Sequence, residues 1–126
     1  DDVLAFIPAR LSALLLWITA YGMGGSTRTE LWPGWRILRA QARSMSSPNA
    51  GWPMAVAAWM HGAVMGGATV YHGKVVDKPL LGPSPLALDD ASWTPGKIRG
   101  LMFHLFVAGL VGMILALCIL IAALWL

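Results

Sequence analysis

The sequence predicts an all-α integral membrane protein, with transmembrane helices at both ends and a cytoplasmic-side amphipathic or re-entrant helical region between them. Three observations predict it. The 126 residues are 57% hydrophobic and 12% charged, against about 45–50% and about 25% in soluble domains. After Gly100 there is no Asp, Glu, Lys or Arg. Eight of the nine Lys and Arg residues lie between Gly24 and Gly100, which marks residues 26–97 as mainly cytoplasmic on the positive-inside rule. At this length 1–126 is one membrane domain.

Residues 1–25 are expected to form the first membrane helix. "VLAFIPARLSALLLWITAYGM" is apolar enough to span, with Pro8 and Arg10 as interruptions. An arginine inside an apolar helix is costly and faces a protein interior or a wet cavity. Arg10 is therefore a functional candidate; the alternative is a side chain that snorkels from a helix end. The chain opens on "DDVL" with neither a methionine nor a signal-peptide layout. A fragment, or a processed or split chain, is expected.

Residues 30–46 are expected to form a basic amphipathic helix. In "PGWRILRAQARSMS", Arg36, Arg39 and Arg43 share one face, and Trp35, Leu38, Ala42 and Met45 share the other. Spacing alone favours a helix lying on the membrane with its arginines towards lipid phosphates. The alternative is an anion-binding face, because guanidinium forks match phosphate geometry.

The corner "SPNAGWP" follows. Asn49 suits a left-handed turn bonded to its own backbone. Gly51 allows close backbone approach, and Pro53 suits the first turn of a helix. The apolar run after it reads as a re-entrant or buried helix over 52–71, which keeps Arg43 and Lys74 on one side of the membrane. Such a corner lines a cavity, with helix N–H groups available to an anion. "PLLGPSPLALDD" reads as a proline-rich connector, or alternatively a lid.

Residues 98–126 are expected to form the second membrane helix. "LFVAGLVGMILALCILIAALWL" exceeds the ~20 residues a span needs. Lys97 and Arg99 mark its cytoplasmic end and Trp125 the far interface. Ala108, Gly112 and Ala116 form a small-residue stripe suited to another membrane helix. Cys118 is the single cysteine, so no internal disulfide exists. It has no base nearby in sequence to make it a nucleophile.

"DDVLAFIPARL", "SPNAGWP", "GGATVYHGK" and "DKPLLG" together resemble the cobalamin-biosynthesis family of adenosylcobinamide-phosphate synthases. These are integral proteins of the inner membrane. The match runs in order over most of the chain and corresponds to the C-terminal part of a family member. The resemblance implies amide formation between adenosylcobyric acid and aminopropanol or its phosphate, coupled to a nucleotide with a divalent cation. The sequence itself shows no cofactor motif and no phosphate loop. Two positions depart from the family: Met54 stands where a glutamate is usual, and Ala5 where an asparagine is usual. Methionine can neither position an amine nor act as a base.

On this resemblance the catalytic candidates are Asp2, Arg10 and Asn49. The substrate- or phosphate-binding candidates are Arg36, Arg39, Arg43, Ser47, Gly51, Trp52, Tyr71, Lys74 and Lys78. Asp2 and Asp77 are candidates for holding a cation or the amine, while no metal site is assigned. The expected partners are the lipid bilayer, the corrinoid substrate, and other membrane helices through Ala108, Gly112 and Ala116. No nucleic-acid module is present. Two other readings remain. One is a diverged, non-catalytic subunit of a larger membrane complex. The other is a cofactor carrier, with His61 and His104 for haem or Met60 and Met65 for copper.

Overall fold

The computed structural model describes residues 3–23, 34–47, 49–87 and 89–125. The elements run α1 (Phe6–Gly22), α2 (Trp35–Ser44), α3 (Gly51–Met60), β1 (Met65–Tyr71), β2 (Lys74–Leu81), a 3-10 turn at Pro85–Ala87, and α4 (Pro95–Trp125). Helices dominate, but the all-α class is corrected: β1 and β2 form a two-stranded antiparallel sheet.

Pro8 falls in the first turn of α1, where backbone N–H groups have no intrahelical partner in any case. It therefore opens the helix and does not interrupt it. Seventeen residues give α1 a length of about 26 Å, short of the ~30 Å hydrocarbon core. Among the described residues, α4 alone is long and apolar enough to cross a membrane. Its 31 residues rise about 46 Å. Pro95 is its first residue, and Thr94 Oγ1 accepts a hydrogen bond from the Lys97 N–H at 3.3 Å. A threonine cap followed by proline is a strong helix start.

α2 is amphipathic as its spacing predicts. Leu38 and Ala42 are buried, while Arg36, Arg39 and Arg43 are exposed. Pro33 lies outside the described residues. α3 is the central helix, buried along most of its length from Gly51 to Met60. It packs against α1 and α2 and reaches both strands. The core joins Ala13, Leu16 and Ala20 of α1, Leu38 and Ala42 of α2, Trp52, Ala55, Val56 and Met60 of α3, and Ala108 of α4. Half of this cluster is alanine, which lets the helices approach closely.

The helix expected over 52–71 ends at Met60. Gly62 takes a left-handed φ of 54°, and the His61, Gly62 and Ala63 N–H groups donate back to Ala57, Trp59 and Ala58 carbonyls. That closes the helix. Beyond it, Val64, Thr69, Val70 and Tyr71 are β-branched or aromatic and Gly66 and Gly67 allow a bulge, which favours strand over helix. His72 and Gly73 both have positive φ, 48° and 77°. A two-residue hairpin turn of the primed type requires this, and it sets Tyr71 opposite Lys74 and Val70 opposite Val75. The pairing is irregular between Met65 and Gly67. A Cβ on Gly66 would collide with the Pro79 carbonyl.

α4 touches the rest of the chain through its first half. His104 and Ala108 are buried, and a Cβ on Gly112 would lie 3.0 Å from Leu15 Cδ1 of α1. Two members of the small-residue stripe thus face α1 of the same chain, whereas Ala116 is exposed. From Met113 to Trp125 every residue of α4 is exposed.

Candidate functional site

The start of α1 and the start of α3 meet. Arg10 projects from the second turn of α1. Its Nη1 donates to the Phe6 carbonyl at 2.8 Å and to Asn49 Oδ1 at 3.2 Å. The guanidinium carbon lies 3.3 Å from the Phe6 ring centroid and 5.1 Å from that of Trp52. An arginine clamped by two rings and two oxygens presents its charge in one orientation. Asn49 and Trp52 are both buried, each 5% exposed.

The corner is shaped by its backbone. Ser47 Oγ accepts from the Ala50 N–H at 3.3 Å, and the Asn49 carbonyl accepts from the Trp52 N–H at 3.2 Å. Asn49 is not left-handed: among the described residues His72 alone, outside glycine, has positive φ. Its side-chain oxygen goes to Arg10, which is a stronger, charge-assisted partner than its own backbone. A Cβ on Gly51 would run into the Ala42 carbonyl, so glycine here lets α3 start directly against α2.

An open pocket of about 520 Å³ lies between these two starts. Ala5, Pro8, Ala9 and Ser12 line one side, and Ser47, Asn49, Ala50 and Pro53 the other. Its walls are mostly apolar, with the Asn49 amide and two hydroxyls as polar points. Such a shape takes a small ligand with one anchored polar end. Ala5 lies in the wall, and Met54 follows the lining residue Pro53 in the first turn of α3.

The structure does not bring the other candidates to this pocket. Arg36, Arg39 and Arg43 are on the exposed face of α2, whereas the corner packs on the opposite, buried face at Ala42. Arg36 instead borders a second open groove of about 650 Å³ with Gly34, Trp35, Ile37, Ala40 and Gln41. Tyr71, Lys74 and Lys78 sit together on the hairpin, where Lys78 Nζ donates to Tyr71 Oη at 2.6 Å. Asp77 is exposed on β2. Asp2 and Pro48 lie outside the described residues.

Gln41 ties these regions together, and sequence spacing alone did not single it out. Its Oε1 accepts from Trp59 Nε1 at 2.7 Å and from the Gly82 N–H at 3.0 Å, and its Nε2 donates to the Gly82 carbonyl at 2.8 Å. One side chain thus joins α2, α3 and the end of β2. The available signal was a lone amide one residue from Ala42 on the inward border of α2. Trp35, partly exposed, adds an aromatic bridge: its ring lies 6.4 Å from Trp17 and 5.3 Å from Trp52.

His61 and His104 also meet, with ring centroids 5.4 Å apart and edge to face. Met60 is buried in the core while Met65 begins β1. Among the described residues no three His, Cys, Asp or Glu side chains are placed to hold a metal ion.

Comparison with known proteins adds the following. The family model described as CobD/Cbib protein matches residues 1–94. Cobalamin biosynthesis protein CobD of Geobacter metallireducens is 43% identical over 99 residues, covering 79% of this chain and 30% of that protein. CobD of Stutzerimonas stutzeri is 44% identical over 82 residues, 65% of this chain and 24% of that protein. Cobalamin biosynthesis protein CbiB of Salmonella arizonae is 41% identical over 116 residues, 86% of this chain and 34% of that protein. The chain therefore spans about a third or less of the length of these relatives. No solved structure matches it.

Proposed function

The chain belongs to the CobD/CbiB protein family, and we propose that it supplies a substrate pocket for adenosylcobinamide-phosphate synthase chemistry in cobalamin biosynthesis. In that reaction the carboxylate carbon of adenosylcobyric acid gains a bond to the amine nitrogen of aminopropanol or its phosphate. The carboxylate oxygen must leave, and amide formation in water runs uphill. A nucleotide with a divalent cation is the co-reactant this reading needs.

The observation that carries the proposal is the meeting of two separate family-like stretches at one pocket, joined by the 3.2 Å bond from Arg10 to Asn49. The pocket's volume suits the small amine component. The Arg10 guanidinium is not itself in the lining; bonded to the lining residue Asn49, it offers positive charge behind the wall to the anionic end of that component. Arg36, Arg39 and Arg43, with Lys74 and Lys78, offer exposed positive charge to larger anionic groups such as nucleotide phosphate or corrinoid side chains. Ser47 lines the pocket, and Gly51 and Trp52 belong to the start of α3 beside the lining residues Ala50 and Pro53. A nucleotide's own phosphates would bring in a divalent ion, which keeps several waters in such sites. The reading places the chain in a bacterial inner membrane through α4, with residues 26–97 towards the cytoplasm.

Membranes containing the chain are expected to convert adenosylcobyric acid and aminopropanol phosphate, with nucleotide and Mg²⁺, to the amide, read by mass spectrometry. Product formed by neither the chain as it stands nor Met54→Glu would sink the proposal. A second reading has its own observation. Ala5 lines the pocket and Met54 adjoins it, and both replace polar residues usual in the family. A diverged, non-catalytic subunit would keep the pocket without the reaction. Stable copurification with other membrane subunits, with no product from Met54→Glu, favours that reading.

A further inference from the structure

The end of α3 and the start of α4 meet at a joint built around the basic and aromatic side chains His61, Trp93, Lys97 and His104. His61 closes α3 and is 7% exposed, and its Nε2 is buried without a hydrogen-bond partner. His104 lies against it on α4, and Trp93 lies 5.9 Å away on another side. Gly100 closes the remaining gap: a Cβ there would come within 3.0 Å of His61 Cε1. Beside the rings, Lys97 Nζ donates to the carbonyls of Gly62, Asp90 and Ser92 at 3.0, 2.8 and 3.0 Å. Trp93 Nε1 donates to the Val64 carbonyl at 3.1 Å. The joint thus pins α4 and the loop before it to the end of α3 and the base of β1.

We propose that this joint is an acid-released latch, which holds α4 against α3 while His61 is neutral and opens when His61 takes up a proton. An imidazolium has two N–H donors to satisfy, and the Nε2 side offers no acceptor. The charged and titratable groups bearing on His61 are His104 and Lys97, both basic and both on α4. α3 carries no titratable side chain of its own. In the loop, Asp90 Oδ1 accepts from the Ser92 N–H at 2.8 Å, and its charge bears on Lys97 rather than on His61. A proton on His61 therefore arrives beside positive charge, in a buried place, with no carboxylate to pair with. The only relief is separation. Burial, then His104, then Lys97, hold His61 down at about 4 from its ordinary 6.5.

The sign follows from linkage. An opened joint exposes His61 and lets it titrate near 6.5, whereas the closed joint resists protonation down to about 4. The open fraction is flat above pH 6.5 and rises roughly tenfold per pH unit below it, until about pH 4. Between about pH 7.5 and about pH 5 this amounts to roughly 30-fold. α3 also starts at the candidate pocket, so the latch sits at the far end of a helix only about 15 Å long. The latch does not rest on the proposed reaction, and its test reads no product.

The chain in nanodiscs, at these two pH values, tests it by amide hydrogen exchange corrected for intrinsic rate. Exchange at residues 61–64 and 90–100 is expected to accelerate roughly 30-fold, while α2 stays unchanged. The His61 ring protons, followed by NMR, should show it titrating near 4, well below its ordinary 6.5. His61→Phe is expected to abolish the acceleration. Should that variant fail to fold, His104→Phe is expected to raise the His61 midpoint from about 4 and to shrink the acceleration between the two pH values. The latch is overturned by His61 titrating near 6.5, by exchange indifferent to His61 protonation, or by acceleration that persists in His61→Phe.

Discussion

Arg10 is held on four sides: by the Phe6 carbonyl, Asn49 Oδ1 and the rings of Phe6 and Trp52. Lysine keeps the charge but loses the flat fork that stacks and bonds at once. Arg10→Lys is expected to reduce amide formation about tenfold or more, with the helical circular dichroism unchanged. Asn49→Ala should do the same by freeing the guanidinium, and the double variant should lose less than the sum, since the two act as one unit. Product assays on the three variants check this. Gly51→Ala acts differently, because its methyl has no room against the Ala42 carbonyl. It is expected to destabilise the fold by about 1–3 kcal/mol, read as an earlier denaturation midpoint. Arg10, Asn49 and Gly51 all stand out in the sequence, as an expensive charge and a turn signature. Their pairings do not: Phe6 lies one turn before Arg10 on the same helix, but Arg10 meets Asn49, and Gly51 meets Ala42, only through helix packing.

At the scale of elements, α2 was legible because a period of 3.6 residues separates its arginines from Leu38 and Ala42. The hairpin was not. "GAVMGGATVY" is uncharged and apolar, and apolar runs do not distinguish helix from strand by periodicity. The discriminating signal was His72–Gly73 between pairs of β-branched or aromatic residues. A two-stranded hairpin is marginal alone, so its link to the helices counts. Gln41 provides much of that link through Trp59 and Gly82. Gln41→Leu leaves an indole N–H and both Gly82 backbone groups without this partner, at about 1–3 kcal/mol for each group left unsatisfied. Chemical unfolding of the variant is expected to show a loss in that range. With Trp59→Phe already present, the further loss should be smaller.

For the whole molecule, α1 and α4 divide the work that the sequence assigned equally to two spans. α4 has the length to cross and leaves Met113–Trp125 wholly exposed. α1 is shorter and buries Ala13, Leu16, Thr19 and Ala20 against the other helices. In a Cys118→Ser background, Ser92→Cys in membrane vesicles is expected to react with an impermeant maleimide from the cytoplasmic side, and Trp125→Cys from the opposite side. Reaction of both from one side would exclude a single crossing by α4. By itself the sequence determined the mainly helical, membrane-suited character, the amphipathic α2, the long apolar C-terminal helix and the family. Those follow from composition, short-range periodicity and local caps, which act within a few residues. Tertiary structure alone decided that Arg10 pairs with Asn49, that the arginine row faces away from their pocket, and that His61 lodges against His104 and Lys97. Those contacts join residues far apart in the chain. They exist only because alanine- and glycine-lined helices pack closely enough to bring such residues together.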